Sequence, residues 1–456
     1  MQLSNGISRR YVILVSSGLI FVWLWLAMGE DRDRRLPKSI AWAIGRPVST
    51  PQNDVFDHPL LDSWELREIC SATEWNASLV FTCDDNRGGI GHVRNSILNC
   101  VRFAIGAGGG LVLPNIKLRD VNVMSAGDAE DEEGDDRFEK RHGLGSEEMN
   151  YMFDRNHFVD SLMKSCPELV LVRHMESTSS HRRRSLLPES LFENIPASGI
   201  EEPGEWPARL GMWIDKYIPP GPAAEPVVID LEQSFLHYPI HSDGSSLAWS
   251  FGDILKFRPD VRQLATSVLK GLAHSHDKDG TEVQLYDVTS EIINPSFIGV
   301  HLGTENPLAE RHEVDITYSH YQAQAAAYIE QATTAKIPLM YVGSGNLPEI
   351  LKLAVEAQEW NVDVTHKEVL LQGKQADALA KLRWDQKALV DYLVLLKGQE
   401  FAGIGHSSFS WNVMLKRHEL GDGASASLAK GVYRDGLSTL YGVRSSYLES
   451  SGCMWP

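Results

Sequence analysis

The sequence has few basic residues for its acidic content. Its 456 residues contain 43 lysines and arginines against 61 aspartates and glutamates, which gives a formal net charge of -18. A protein whose main partner is nucleic acid needs clustered lysine and arginine to neutralise the phosphates. The one arginine cluster, Arg182, Arg183 and Arg184, is too short to reverse this balance. Nucleic acid is therefore excluded as the main partner.

The common cofactor motifs are also missing. A dinucleotide motif G-x-G-x-x-G would begin at Gly89 and Gly91, but Arg94 stands where its third glycine belongs. No P-loop with its lysine is present. The hydrolase motif G-x-S-x-G fails at Phe409, which replaces its second glycine. These absences predict a protein without a nicotinamide or flavin cofactor.

Metal-binding patterns are equally scarce. The paired histidines at 237 with 241 and at 274 with 276 have no cysteine or carboxylate at ligand spacing. Asp84 and Asp85 follow an apolar run that reads as a strand, and they remain an alternative pair of oxygen ligands. We predict no metal site.

Long hydrophobic runs are absent except at the N-terminus, where residues 11–29 carry no charge. As a helix, this segment would be about 28 Å long, close to the thickness of a bilayer core. Arg9 and Arg10 precede it, and Trp23 and Trp25 suit an interface. The pattern favours an uncleaved anchor with a cytoplasmic tail, residues 1–10, and a lumenal body in the Golgi or endoplasmic reticulum. A cleaved signal peptide is the alternative.

Cysteine is sparse, and its count is odd. Cys70 and Cys83 could form a disulfide near the start of the body, and at least one of the five thiols is then left over. Five reduced, buried cysteines are the alternative. Asn76-Ala77-Ser78 is a glycosylation sequon, which agrees with a lumenal body. The five cysteines are Cys70, Cys83, Cys100, Cys166 and Cys453.

Beyond the anchor, the chain divides into a stem and two domains. Residues 30–63 are rich in arginine, aspartate and proline and predict a stem. Short apolar runs then alternate with helical patterns, which predicts α/β domains with parallel sheets covered on both faces. We place these domains at 64–250 and 251–456, facing a cleft, with an acidic surface insertion at 126–148.

Three loops are the candidate binding elements. A glycine-rich loop, 87–92, joins a strand to a helix, a junction whose free N–H groups can hold an anion. Ser407, Ser408 and Phe409 repeat this arrangement in the second domain, although a serine there could simply cap the helix. His301 and Glu305 lie at and beyond the end of a third strand, where α/β proteins bind ligands.

Together these segments resemble the O-fucosyltransferase family, in particular its fungal branch. The resemblance rests on "GGIGHVRNSILNCVRFAIGAGGGLVLP", "NYMFDRNHFVDSL", "IGVHLGTEN" and "HKEVLL" with "ALVDYLVLLKGQEFAGIGHSSFSWNVMLKRHELG". These motifs occur in the family's order between about residues 79 and 421. The resemblance implies a GT-B fold and metal-independent, inverting transfer of fucose from GDP-fucose to a hydroxyl of a glycoprotein, glycan or small molecule.

The resemblance also implies roles for individual residues. Asp391 would contact the guanine, while Ser407, Ser408 and Phe409 would hold the diphosphate and nucleoside. His301 would line the donor site. Gly89, Gly91 and His92 would form the loop beside the diphosphate.

One position departs from the family's pattern. Gly303 stands where the family has the arginine of His-Leu-Arg, which is expected to neutralise the leaving diphosphate. Losing such a donor typically costs about 2.7–4 kcal/mol of transition-state stabilisation. Arg94, Arg311 and His312 are candidate replacements, and Gly303→Arg is expected to recover turnover. The alternative is an impaired pseudoenzyme that still binds the GDP-sugar.

Overall fold

The computed structural model describes residues 54–86, 88–118, 145–173, 182–221, 225–234, 237–276, 282–284, 287–294, 296–304, 316–421 and 426–456. The predicted tail and anchor, 1–29, lie outside these ranges, as does most of the acidic insertion. None of the helices in the described ranges combines the length and hydrophobicity needed to cross a bilayer.

Strands and helices alternate along the chain, as the apolar pattern predicts. The helices are α1 (Trp64–Ala72), α2 (Ile90–Gly106), α3 (Arg155–Ser165), α4 (Trp206–Tyr217), α5 (Ser245–Ser250), α6 (Pro259–Ala273), α7 (Tyr321–Ala335), α8 (Leu347–Gln358), α9 (Lys367–Leu370), α10 (Lys374–Lys381), α11 (Trp384–Lys397), α12 (Ser408–His418) and α13 (Ser445–Ser451).

The strands are β1 (Leu79–Thr82), β2 (Gly110–Val112), β3 (Asn115–Lys117), β4 (Ser146–Glu148), β5 (Leu171–Val172), β6 (Arg183–Leu186), β7 (Val227–Leu231), β8 (His274–His276), β9 (Glu282–Gln284), β10 (Ile298–His301), β11 (Leu339–Gly343), β12 (Asp363–Thr365), β13 (Glu400–Ile404), β14 (Ser427–Ala429), β15 (Val432–Arg434) and β16 (Ser438–Tyr441).

Two mainly parallel sheets carry the fold. The first half of the chain forms a parallel sheet in the order β5-β2-β1-β7-β6. The second half forms the order β12-β11-β10-β13-β16-β15-β14, in which only β15 runs antiparallel to the other strands. The central strands are short apolar runs because helices cover both faces of such sheets. The prediction of an α/β protein with parallel sheets is confirmed.

Helix α2 is the main link between the two halves. Almost every residue from Ile90 to Ile105 is buried, and the buried residues include polar as well as apolar ones. The helix packs on β1 and β2 of the first sheet and also against α12 of the second half. A helix that is buried on all sides lies inside the protein core rather than on its surface.

The chain departs from the predicted boundaries at both ends. Residues 54–63, predicted as the end of the stem, pack on the body: Leu61 is buried, and Asp54 forms an ion pair with the buried Arg262 at 2.8 Å. At the other end, Trp455 returns to the first half, where its indole N–H donates to Oδ1 of Asn99 at 2.6 Å. The C-terminal segment therefore packs against the first half of the chain.

The disulfides differ from the predicted pair. Cys70 is bonded to Cys166, joining α1 to the end of α3, and Cys83 is bonded to Cys100, joining the end of β1 to α2. Cys453 is free and buried. The predicted bridge between Cys70 and Cys83 is wrong because each of these residues has a partner from another helix.

We expect non-reducing peptide mapping to recover these two bridges, with Cys453 reacting only after unfolding. The pair Cys70→Ser and Cys166→Ser is expected to lower the free energy of unfolding by about 2–5 kcal/mol, because the bridge closes a long loop. Cys453→Ser is the control, because Cys453 forms no disulfide. A serine there can still donate the hydrogen bond that the Cys453 thiol donates to the Ser198 carbonyl. Recovery of five free thiols, or of a bridge between Cys70 and Cys83, would contradict the pairing.

Candidate functional site

A cavity of about 370 Å³ lies at the carboxyl ends of β10, β11 and β13. His301, Gly343 and Ile404 end these strands and line it. This edge of a parallel sheet is where α/β proteins bind ligands, and the volume is typical of small-molecule sites. The first half of the chain supplies the facing wall, which is formed by Gly88, Gly89, Ile90, His92 and Met152.

The glycine-rich loop presents the start of α2 to this cavity. Gly88 has φ 106°, a conformation that favours glycine, and a Cβ there would lie 2.7 Å from Nδ1 of His92. Gly89 is the N-cap of α2, and no side chain caps the helix. The N–H groups of a helix's first turn have no partner within the helix, so this end can hold an anion.

The second predicted loop brings another helix end to the same place. Ser407 is the N-cap of α12, and its hydroxyl accepts a hydrogen bond from the Ser410 N–H at 3.3 Å. Ser407, Ser408 and Phe409 all line the cavity. The capping role and the binding role considered for Ser407 are therefore compatible.

Gly91 lets these two helix ends touch. It does not line the cavity; it lies against the backbone of Ser408, and a Cβ at position 91 would overlap the Ser408 carbonyl. The first turns of α2 and α12 are therefore held together, with both positive ends at one cavity. This arrangement suits a ligand that carries several negative charges.

His301 contributes a neutral imidazole. Its Nδ1 lies 2.8 Å from the Ser410 hydroxyl, and its ring lies 4.5 Å from the ring of Phe409. Burial, together with the neighbouring His406, lowers the pKa of His301 to about 3. At neutral pH, His301 can shape the cavity and form hydrogen bonds, but it carries no charge.

Asp391 lines the cavity within a buried ion pair. One of its carboxylate oxygens accepts a hydrogen bond from Lys367 and the other from the Tyr341 hydroxyl, each at 2.7 Å. Burial alone would lower the pKa of Lys367, but the charges of Asp391 and Glu368 raise it. The ammonium therefore stays protonated, and the carboxylate is fixed in place with lone pairs left to accept further hydrogen bonds.

Arg94, predicted as a catalytic residue, lies elsewhere. It is 4% exposed and is not among the lining residues. Its guanidinium donates to the carbonyls of Trp455 and Gly252, each at 2.9 Å, and to Oδ1 of Asn412 at 3.4 Å. The structure therefore corrects this prediction: Arg94 is committed to acceptors that hold α2, α12 and the C-terminus together. Glu305 lies outside the described residues.

Several lining residues were not predicted from the sequence. Lys367 follows β12, the loop 343–345 follows β11, and Asp385 and Lys387 belong to the first turn of α11. The glycine-rich end of the run "LMYVGSG" was a usable signal for the loop. The lysines carried no such signal, because only the order of the strands brings them to one edge.

A second cavity, of about 550 Å³, lies at the carboxyl ends of β1, β6 and β7. Its cations are already neutralised: Arg183 forms two hydrogen bonds with Asp230, at 2.7 and 2.8 Å, and Lys117 pairs with Asp85 at 3.2 Å. Asp84 accepts a hydrogen bond from the Asn115 N–H. This cavity is therefore less suited to an anion than the first.

Comparisons with solved structures find chains with a similar path of the backbone. A crystal structure of POFUT1 in complex with GDP-fucose is 13% identical over 82% of this chain and 99% of that chain, with a TM-score of 0.45. A structure of POFUT1 in complex with GDP is 13% identical over 82% and 100%, with a TM-score of 0.42. A variant of Arabidopsis thaliana FUT1 in complex with GDP is 10% identical over 78% and 72%, with a TM-score of 0.37. No protein-family model matches this sequence, and no curated protein does.

Gly91→Ala tests the contact between the two helix ends. We expect it to lower the free energy of unfolding by about 1–3 kcal/mol, because the new methyl group forces α2 away from backbone that cannot yield. Gly211→Ala is the matched control: it lies in α4, where a Cβ meets no atom within 4 Å. Replacing a helical glycine with alanine there should stabilise the protein by about 0.5–1 kcal/mol.

Chemical denaturation of the two variants measures this difference. Equal stability of Gly91→Ala and Gly211→Ala would show that the two helix ends are not in close contact.

Proposed function

We propose that this chain is a glycosyltransferase that transfers fucose, or another sugar, from a GDP-sugar to a hydroxyl acceptor. The observation that carries the proposal is the meeting of two helix N-termini at one cavity that the fixed carboxylate of Asp391 also lines. The motif resemblance described from the sequence supports the same assignment. A GT-B arrangement, with the donor bound at the second sheet, is part of the proposal.

The helix ends suit the diphosphate. In an inverting transfer, the acceptor oxygen attacks C1 of the sugar as the bond from C1 to the phosphate oxygen breaks. The electron pair of that bond passes to the leaving GDP, whose negative charge grows. Backbone N–H groups at Gly89, Ile90 and Ser408, which line the cavity, are fixed before the reaction, so they stabilise this charge without reorganising.

Asp391 suits the guanine. The N1–H and the 2-amino group of guanine are neighbouring donors, and a carboxylate can accept from both. Lys367 and Tyr341 hold Asp391 rigidly, which lowers the entropy cost of that recognition. Phe409 offers an aromatic face beside Ser408, and His301 packs on it.

The second candidate is a protein that binds the GDP-sugar without turnover, and Gly303 favours it. The N–H of Gly303 donates to Gln324 Oε1, and its carbonyl accepts from Gln324 Nε2, each at 3.0 Å. A Cβ at 303 would lie 2.9 Å from Cε1 of His301 and 3.0 Å from Cδ1 of Ile404. The backbone is thus fixed where a side chain has little room.

We also propose that the body lies in the lumen of the secretory pathway, anchored by residues 11–29. The two disulfides support an oxidising compartment, because cytosolic proteins rarely keep such bonds. Asn76 is exposed just before β1, where a glycan could be attached.

A nucleotide panel tests donor binding. We expect GDP at a hundredfold excess over its Kd to stabilise the full chain by about 2.7 kcal/mol, seen as a rise in Tm. Inosine diphosphate, which lacks the 2-amino group, should bind roughly tenfold to a hundredfold more weakly, because a hydrogen bond to a charged acceptor is lost. Equal stabilisation by GDP, inosine diphosphate and UDP would contradict a guanine site.

Release of GDP from GDP-fucose separates the enzyme from the inert binder. Release that increases with an added acceptor supports the transferase, whereas binding without any release supports the second candidate.

Gly303→Arg is now expected to fail as a rescue. The new Cβ displaces the His301 ring, so affinity for GDP should fall and turnover should not rise. Gly303→Ala is the matched control, since it adds the Cβ alone and should account for most of the loss in affinity. A rise in GDP release by Gly303→Arg would show that the His301 ring yields and that the missing arginine limits the rate.

A further inference from the structure

The cavity has few positive charges with which to bind a diphosphate, since its lining holds two lysines and three carboxylates. His301 is neutral, and burial also lowers the pKa of His406. Lys367 is neutralised by Asp391 at 2.7 Å and by Glu368 at 3.5 Å. His92 would carry charge only when protonated. These four side chains therefore supply no permanent, uncompensated positive charge.

Lys387 is the exception among the described lining residues. It lies on α11, four residues before Asp391, so the two residues share one helix face. Both residues line the cavity, as do Trp384, Asp385 and Ala388 of the same helix. Asp391 forms its ion pair with Lys367, at 2.7 Å, and within the described ranges no ion pair joins Asp391 to Lys387.

Within the described ranges, no carboxylate forms an ion pair with Lys387. It is partly buried, and it lines a cavity rather than the outer surface. Its flexible four-carbon stem lets the ammonium turn towards an anion in the cavity. A lysine in this position is available to an anionic ligand.

We propose that Lys387 binds the phosphates of the GDP-sugar and supplies the charge that Gly303 lacks. This inference rests on the proposed function and adds a residue to its site. As the bond between C1 and the phosphate oxygen breaks, its electron pair moves onto the diphosphate, and the acceptor's proton is released to solvent. The Lys387 ammonium stabilises the added negative charge on the phosphate oxygens.

Paired ligands isolate the phosphate contact. In calorimetry with the full chain, Lys387→Gln should weaken GDP binding about tenfold to a hundredfold, because a charge-assisted hydrogen bond is lost. Binding of guanosine, which has no phosphate, should change less than about threefold. Lys387→Arg should retain most of the affinity for GDP, since it keeps the charge.

Lys381→Gln is the matched control. Lys381 ends α10, is exposed and does not line the cavity. The Lys381→Gln substitution removes the same charge from the same half of the protein but outside the cavity. It should therefore leave the binding of both ligands unchanged. An equal loss of GDP affinity in this variant would assign the effect to net charge and overturn the proposal.

The remaining outcomes are also decisive. Equal losses for GDP and guanosine in Lys387→Gln would place Lys387 at the nucleoside and overturn the phosphate contact, as would unchanged binding of GDP. If the unmodified chain binds neither ligand, the proposed function fails first, and this inference fails with it. Where GDP-fucose is turned over, Lys387→Gln should lower kcat about 10²–10³-fold.

Discussion

The close contact between Gly91 and Ser408 is the constraint on which the candidate site depends. A glycine inside a helix typically costs about 0.5–1 kcal/mol relative to alanine. Here the missing side chain lets α2 and α12 approach until the backbone of one meets the backbone of the other. Because both helices begin at this contact, their positive ends open into the same cavity. A larger residue at 91 would separate the two ends and weaken their combined field.

The hydrogen bonds of the buried Arg94 help to hold α2 and α12 in this contact. A buried guanidinium is costly unless its donors are satisfied, and here the acceptors come from the C-terminus, from residue 252 and from α12. The same C-terminal segment binds α2 further along: Asn95 accepts from the Trp455 N–H at 2.7 Å, and Asn99 accepts from its indole at 2.6 Å. One polar face of α2 thus holds the last residues of the chain, while its first turn faces the cavity.

The sequence predicted the secondary-structure elements better than the contacts between them. Short apolar runs predicted the alternation of strands and helices, and the glycine and serine signals located the two helix ends. Arg94 was misassigned because its acceptors at Gly252 and Trp455 lie 158 and 361 residues away. Cys70 was paired with a neighbour in sequence, whereas its true partner is separated by 96 residues. Each of these errors concerns a contact between residues that are far apart in the sequence, which forms only when the chain packs.

The same packing decides where positive charge can enter the cavity. The end of β10 carries none, because His301 is neutral and Gly303 is fixed by Gln324 beside the imidazole ring. Two helix ends together supply the equivalent of about one positive charge, since each contributes about half. A nucleoside diphosphate carries more negative charge than that, so a further cation is needed from another wall. Helix α11 lines the cavity as well, and it carries Asp391, the residue proposed to contact the base. Under the proposed function, the helix that contacts the base is therefore also the element from which a phosphate-binding cation can reach the ligand.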